Sequence, residues 1–186
     1  MLSATQLRVG MTILFNNEPY RVIFVQHITP GNWRGMVQTK LRNLKTGSMA
    51  ENRFRSDDKV EKAILESHEM EYLYSSDTDH HFMNTETYEQ IILNSDTLGN
   101  NVYYLVPNVK FTVEFYEGKP VGVEAPKVVE LKVVDTQPNL KGATAASSQK
   151  PATLETGLIV NVPPFIEAGE LVRIDTEEGK YLERAR

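Results

Sequence analysis

The chain has 186 residues, 40% of them hydrophobic and 24% charged, and a net charge of −5, which excludes wholesale disorder and leaves room for one ordinary domain or a string of small ones. It has no cysteine, which excludes disulfides, a thiolate nucleophile and Cys-based zinc or iron–sulfur sites and suits a reducing compartment, so a cytoplasmic location is expected. Its apolar runs, such as Leu158-Ile159-Val160, fall far short of the roughly 18 residues of a membrane span, and residues 1–10 lack a basic start followed by an apolar stretch, so neither membrane nor export segment is expected.

Short β-branched and aromatic runs separated by turn signals recur along the chain, the pattern of small all-β barrels. In the first part, Met11–Phe15, Glu18–Gln26, Met36–Asn43 and Met49–Phe54 read as strands, broken at Asn16-Asn17, Thr29-Pro30-Gly31 and Lys45-Thr46-Gly47. The second part offers strands at Lys62–His68, Met70–Ser75 and His80–Asn84, a short acidic helix near Glu86–Ile92, then strands at Asn101–Leu105, Lys110–Tyr116 and Lys119–Glu124. Tyr116-Glu117-Gly118-Lys119 reads as a hairpin turn, because glycine supplies the positive φ that such turns need. The third part begins with a strand at Val128–Asp135 and closes with Leu158–Val162, Leu171–Asp175 and Tyr181–Arg184, with Asp175–Lys180 as a hairpin tip. Boundaries fall near 64–66 and 126–128, giving pieces 1–64, 65–127 and 128–186, each of a size at which a small closed barrel still folds.

Charge is polarised over these pieces. Residues 1–64 carry ten Lys/Arg against five acids, residues 65–127 three against eleven, and residues 128–186 seven against nine. An acidic total counts against a nucleic-acid binder only when the charge is evenly spread; here a basic first part can meet phosphate while an acidic middle stays away from it.

Four constellations could carry chemistry. The segment His27–Met36 is a turn-rich tip that sets the one tryptophan, Trp33, beside Arg34 between Gly31 and Gly35, an aromatic plane and a cation of the kind offered to a base and a phosphate. The basic strand beyond it carries Lys40 and Arg42, with Lys45 following. His80 and His81, near Asp77 and Asp79, suggest a metal, but adjacent strand residues point to opposite faces, and a solvated turn entering a strand is the better reading. Ser147, Ser148 or Thr144 lack a Gly-x-Ser-x-Gly elbow, and neither phosphate-loop pattern is present. Residues 150–170 read as a turn, a buried strand with Leu158, Val160 and Val162 inward, and a Pro-rich corner.

The run Lys150-Pro151-Ala152-Thr153 through Gly157, Val162-Pro163 and Gly169 resembles the C-terminal signature of the bacterial translation elongation factor P family. Lys40-Leu41-Arg42-Asn43-Leu44-Lys45-Thr46-Gly47, Phe82-Met83-Asn84-Thr85-Glu86-Thr87-Tyr88 and Val129–Thr136 are similar to family segments in the same order and spacing. The resemblance implies an SH3-like, KOW-type domain followed by two OB-fold domains in an L-shaped outline, with no cofactor and no metal. It also implies a monomer that binds the 70S ribosome, rRNA and peptidyl-tRNA, is no enzyme, and stimulates peptide-bond formation where consecutive prolines stall synthesis. In the family the first-domain loop tip carries a Lys or Arg that is enlarged after translation. An ungapped count back from Lys40 puts that position at Asn32, which cannot take those extensions; Pro30, Gly31, Trp33, Arg34 and Gly35 surround it, and Trp33 and Arg34 are the residues placed to offer the stacking surface and cation instead. In the third domain the family's Gly-Asp-Thr-Ala loop reads Gly142-Ala143-Thr144-Ala145 here, leaving Gly142 and Thr144 as the RNA-binding candidates. The alternatives are a paralogue of the family with another stall-motif preference and, from a different class, a metal-dependent hydrolase around His80 and His81.

Overall fold

A computed structural model describes residues 1–29, 31, 35–138 and 149–185. The all-β expectation holds: the chain forms three antiparallel-rich sheets with one short α-helix and two 3-10 turns among the described residues. They divide into two compact units, residues 1–66 with 114–121, and residues 67–113 with 122–185.

The first unit holds strands β1 (Leu2–Ser3), β2 (Thr12–Phe15), β3 (Glu18–Ile28), β4 (Met36–Asn43), β5 (Met49–Arg55) and β6 (Lys59–Lys62), in the spatial order β1-β6-β2-β3-β4-β5. Six strands stand where four or five are expected, because the two-residue β1 pairs with β6, Leu2 opposite Val60. The alternation that makes β4 legible is visible in its burial: Val37, Thr39, Leu41 and Asn43 are buried, and Met36, Lys40 and Arg42 are exposed. Val22, Val37 and Leu41 pack with Ala4, Leu7, Ile13, Tyr20 and Val60 into one core. Phe15 meets Tyr20 and Phe54 edge-on at ring-centroid distances of 5.4 and 6.2 Å, the arrangement that sets a ring's positive rim against its neighbour's face.

In the second part of the chain lie β7 (Glu66–Ser76), β8 (Asp79–Asn84), β9 (Gln90–Asn94), α1 (Ser95–Leu98), β10 (Lys110–Tyr116) and β11 (Lys119–Glu124), with the order β11-β10-β7-β8-β9. Three expectations fail here. Where a helix near Glu86–Ile92 is expected, the Asn84 side-chain oxygen caps the backbone N–H groups of Glu86 and Thr87 at 2.8 and 3.0 Å, but the left-handed φ of 60° at Tyr88 ends the helical path after one turn, and Asn84 N–H closes on the Glu89 carbonyl at 2.8 Å. The chain therefore turns, and Gln90–Asn94 pairs with β8 instead. The helix starts at the next good cap, Asn94, whose side chain accepts from Thr97 N–H at 2.8 Å. Where a strand at Asn101–Leu105 is expected, residues 99–104 form a 3-10 helix, with Tyr104 buried and the Asn101 amide donating to the Val123 carbonyl at 2.8 Å. The Lys62–His68 strand is likewise replaced by the end of β6, a break, and the start of β7.

The last sheet comprises β12 (Val128–Thr136), β13 (Lys150–Leu154), β14 (Ile159–Val162), β15 (Leu171–Asp175) and β16 (Lys180–Arg184), ordered β14-β13-β12-β15-β16. Residues 150–154 are a strand rather than a turn, Ala152 and Leu154 facing the core; Val160 and Val162 are buried as expected, and Leu158 is only half-buried. Within the second unit this sheet is tied to preceding segments by Thr176, which donates to the Pro126 carbonyl, and Thr156, which donates to the Tyr103 carbonyl, each at 2.7 Å. No helix among the described residues is long and apolar enough to cross a membrane.

Candidate nucleic-acid interface

Register across β3, β4 and β5 decides which side chains share a face. Gln26, Gln38 and Arg53 form one cross-strand row, Ile28, Met36 and Arg55 a second, and Phe24, Lys40 and Glu51 a third. These rows alternate with the core-facing rows Val22-Leu41-Ala50 and Val25-Thr39-Asn52, so they lie on the opposite, outward surface. Lys40, Arg42, Arg53 and Arg55 are all exposed there.

A β-bulge shapes this face. Pairing skips from Val22–Leu41 to Phe24–Lys40, leaving Ile23 as the extra residue. Ile23 and Phe24 are 42% and 40% exposed, although they sit within the wholly apolar run Val22-Ile23-Phe24-Val25. The result is a cationic surface with an aromatic ring and the amides of Gln26 and Gln38 among the cations. Gln38, Glu51, Asn52 and Arg53 line a shallow groove on it. That combination suits a phosphate backbone with bases beside it, because cations supply salt-dependent attraction and amides and rings meet base edges and faces.

The cations differ in how far they are engaged. Lys40 pairs with Glu51 at 3.1 Å, whereas Arg53 and Arg55 have no ion pair with a described residue. Lys45 lies in the turn after β4 with its ammonium 5.4 Å from the ring centroid of Tyr116, a cation–π contact. Arg21 is bonded to the Glu114 carboxylate, and its Nε is buried without a hydrogen-bond partner among the described residues. Burial first, then Glu117 and Glu61, hold the Tyr116 phenol above its ordinary pKa.

Of the expected loop-tip residues, Gly31 takes a left-handed φ of +40°. A Cβ on Gly35 would come within 2.5 Å of the Ser56 hydroxyl, which is why glycine fits there. Pro30, Asn32, Trp33, Arg34, Gly142 and Thr144 lie outside the described residues. Arg53, Arg55, Phe24 and Gln38 are the additions that structure makes to Lys40 and Arg42. The signal in sequence for the two arginines is the basic count of residues 1–64; Phe24 and Gln38 join them only through register.

The histidine pair is resolved differently from a solvated turn. His80 is buried at 8% exposure, its Nδ1 hydrogen-bonded with Ser75 Oγ at 2.5 Å and its Nε2 with Ser95 Oγ at 3.0 Å, and Tyr72 OH extends the chain to Ser75 at 2.7 Å. Burial pushes its pKa below the ordinary value, and nearby Asp79 opposes this. A serine, not a carboxylate, holds the far nitrogen, so the network lacks the group that orients a catalytic imidazole. His81 points to the other face and stacks on Tyr74 with centroids 4.3 Å apart. Among the described residues no cluster of three or more His, Asp or Glu side chains is placed to hold a metal ion.

Three family models match the chain: "Elongation factor P (EF-P) KOW-like domain" over residues 3–60, "Elongation factor P (EF-P) OB domain" over 65–123, and "Elongation factor P, C-terminal" over 129–184. Elongation factor P of Acidobacterium capsulatum is 55% identical over 184 residues, 99% of both chains. Elongation factor P of Gemmatimonas aurantiaca is 46% identical over 99% of this chain and 98% of its own. Among solved structures, eukaryotic translation initiation factor 5A from Methanococcus jannaschii superposes with a TM-score of 0.57 at 16% identity, covering 67% of this chain and 91% of that one, a likeness of fold.

Proposed function

The chain belongs to the elongation factor P family of translation factors, and from that premise we propose that it binds the 70S ribosome as a cytoplasmic monomer and stimulates peptide-bond formation at consecutive prolines by orienting peptidyl-tRNA. The observation that carries this reading is the outward face of β3, β4 and β5, where Lys40, Arg42, Arg53 and Arg55 surround Phe24, Gln26 and Gln38. Such a face gives rRNA or tRNA both phosphate contacts and stacking. Orientation alone can lower a reaction barrier by several kcal/mol with no acid, base or metal from the protein.

In this reading residues 1–64 are the SH3-like domain and 65–127 and 128–186 the two OB domains. Residues 30–35 are the tip that reaches the peptidyl-transferase centre, with Asn32 unmodified and Trp33 and Arg34 as its stacking and cationic groups. Gly142 and Thr144 contact RNA from the third domain. The family assignment points away from a hydrolase, and the buried, serine-held His80 gives that alternative no catalytic arrangement.

The test is translation of a Pro-Pro-Pro reporter with purified factor at saturation. The parent should relieve the stall, and Trp33→Ala or Arg34→Ala should relieve it less while retaining most ribosome binding, the stacking loss being roughly 1–3 kcal/mol. Full relief by both variants would remove Trp33 and Arg34 from the tip's function, and no relief by the parent would overturn the proposal.

A further inference from the structure

Three turns among the described residues share one hydrogen-bond pattern. At Asn43–Ser48, the Asn43 side-chain oxygen accepts from the backbone N–H of Lys45 at 2.8 Å and of Thr46 at 3.0 Å, Gly47 N–H donates to the Asn43 carbonyl at 2.9 Å, and Asn43 N–H donates to the Ser48 carbonyl at 2.8 Å. At Asn84–Glu89 the same four bonds recur at the same lengths: Glu86 and Thr87 to the Asn84 side chain at 2.8 and 3.0 Å, Tyr88 N–H to the Asn84 carbonyl at 2.9 Å and Asn84 N–H to the Glu89 carbonyl at 2.8 Å. At Asp175–Gly179, Glu177 and Glu178 donate to the Asp175 side chain at 2.8 and 3.0 Å, and Gly179 N–H donates to the Asp175 carbonyl at 2.8 Å.

In each turn the fifth residue is left-handed, with φ of 73° at Gly47, 65° at Gly179 and 60° at Tyr88. Glycine adopts this conformation without steric cost; a residue with a Cβ, and a bulky one above all, is strained in it. Two of the three turns use glycine, and the third carries tyrosine. The fold gains nothing visible in return: Tyr88 is 71% exposed, and its ring has no hydrogen-bond, ring or ion partner among the described residues. Local strain kept without a packing return marks a position held for its side chain.

The surroundings say what that side chain can meet. Glu86 and Glu89 flank Tyr88 and are exposed with it, and residues 65–127 carry eleven acids against three lysines. An RNA phosphate brought to this turn would meet two carboxylates of its own sign. A guanidinium or ammonium would find a ring face for a cation–π contact and carboxylates for its N–H groups. We propose that Tyr88 is the anchor through which the turn between β8 and β9 binds an arginine or lysine side chain of a basic protein of the ribosome, an inference that rests on the ribosome-binding function proposed above.

The experiment uses the full-length chain and purified 70S ribosomes. Tyr88→Gly should raise Tm by about 2–4 °C, by releasing the left-handed strain, while weakening ribosome binding about tenfold. Tyr88→Phe, which keeps the ring, should bind within about twofold of the parent. A photo-cross-linking phenylalanine derivative at position 88 should attach to a ribosomal protein. A lower Tm for Tyr88→Gly would overturn the strain argument. Unchanged binding by Tyr88→Gly, binding lost in Tyr88→Phe, or cross-links confined to rRNA or tRNA would each overturn the inference while leaving ribosome binding by the parent intact. Failure of the parent itself to bind ribosomes would overturn the proposed function and this inference together.

Discussion

Neutralising Arg53 and Arg55 together tests whether the outward face of β3, β4 and β5 touches phosphate. Both are exposed, and neither has an ion pair with a described residue, so Arg53→Gln with Arg55→Gln should leave the fold within about 0.5 kcal/mol of the parent. Each phosphate contact contributes about 0.9 to the slope of log affinity against log salt on a duplex and about 0.7 on a single strand. Losing two contacts therefore lowers the slope by roughly 1.4–1.8. Over a fourfold rise from about 50 to 200 mM salt, the gap between parent and variant should close by roughly 7- to 12-fold. Lys40 should behave differently because Glu51 sits 3.1 Å from its ammonium and already serves as its counterion. Lys40→Gln should cost clearly less slope than Arg53→Gln, and Glu51→Gln should steepen the parent's slope. The assay is ribosome binding by a fluorescently labelled chain across a KCl series at fixed magnesium. An unchanged slope in the double arginine variant would refute the assignment of this face to RNA, and equal effects of Lys40→Gln and Arg53→Gln would refute the counterion argument.

The buried imidazole of His80 predicts a pH effect whose sign follows from its depressed pKa: the folded chain holds that proton less readily than the unfolded one, so the contribution to stability is full above about pH 6.5 and is lost as pH falls below it. Urea midpoints of the parent should drop between about pH 7 and 5 more than those of His80→Gln; parallel curves would sink the argument. Asn43→Ala should cost about 2–4 kcal/mol, because the 2% exposed Asn43 loses its bond to the Glu18 carboxylate and leaves the Lys45 and Thr46 N–H groups uncapped. A urea midpoint within error of the parent would show that water replaces all three bonds.

Where one periodicity runs uninterrupted, the fold is legible in sequence. Met36–Asn43 and Leu171–Asp175 alternate cleanly and form strands with those bounds, and the glycine in Tyr116-Glu117-Gly118-Lys119 takes its expected positive φ of 75°. Legibility fails where one residue's backbone conformation departs from its type or where propensity misleads. Asn84 caps two amides as a helix start would, but the left-handed φ of 60° at Tyr88 ends the helical path, and Pro151 hides the strand Lys150–Leu154, in which it lies opposite Asn161. His80 and His81 look alike in sequence, yet strand alternation buries the first and sends the second outward to stack on Tyr74.

The candidate site shows the same division more sharply. A basic excess in residues 1–64 is a matter of counting, and it points to phosphate without saying where. Position on a face depends on register, and in β3 the register changes at one residue: the bulge at Ile23. Before it, Val22 faces the core; after it, Phe24 stands on the outer face beside Lys40 rather than under Leu41. Without the bulge, strict alternation from Val22 would send Phe24 inward and put Val25 outside, exchanging an aromatic ring for an aliphatic side chain among the cations. The run Val22-Ile23-Phe24-Val25 carries no mark of that shift, because every one of its residues is apolar and suits either face. Charge is thus written residue by residue, whereas the pairing of that charge with an exposed ring arises only once two strands have chosen how to align.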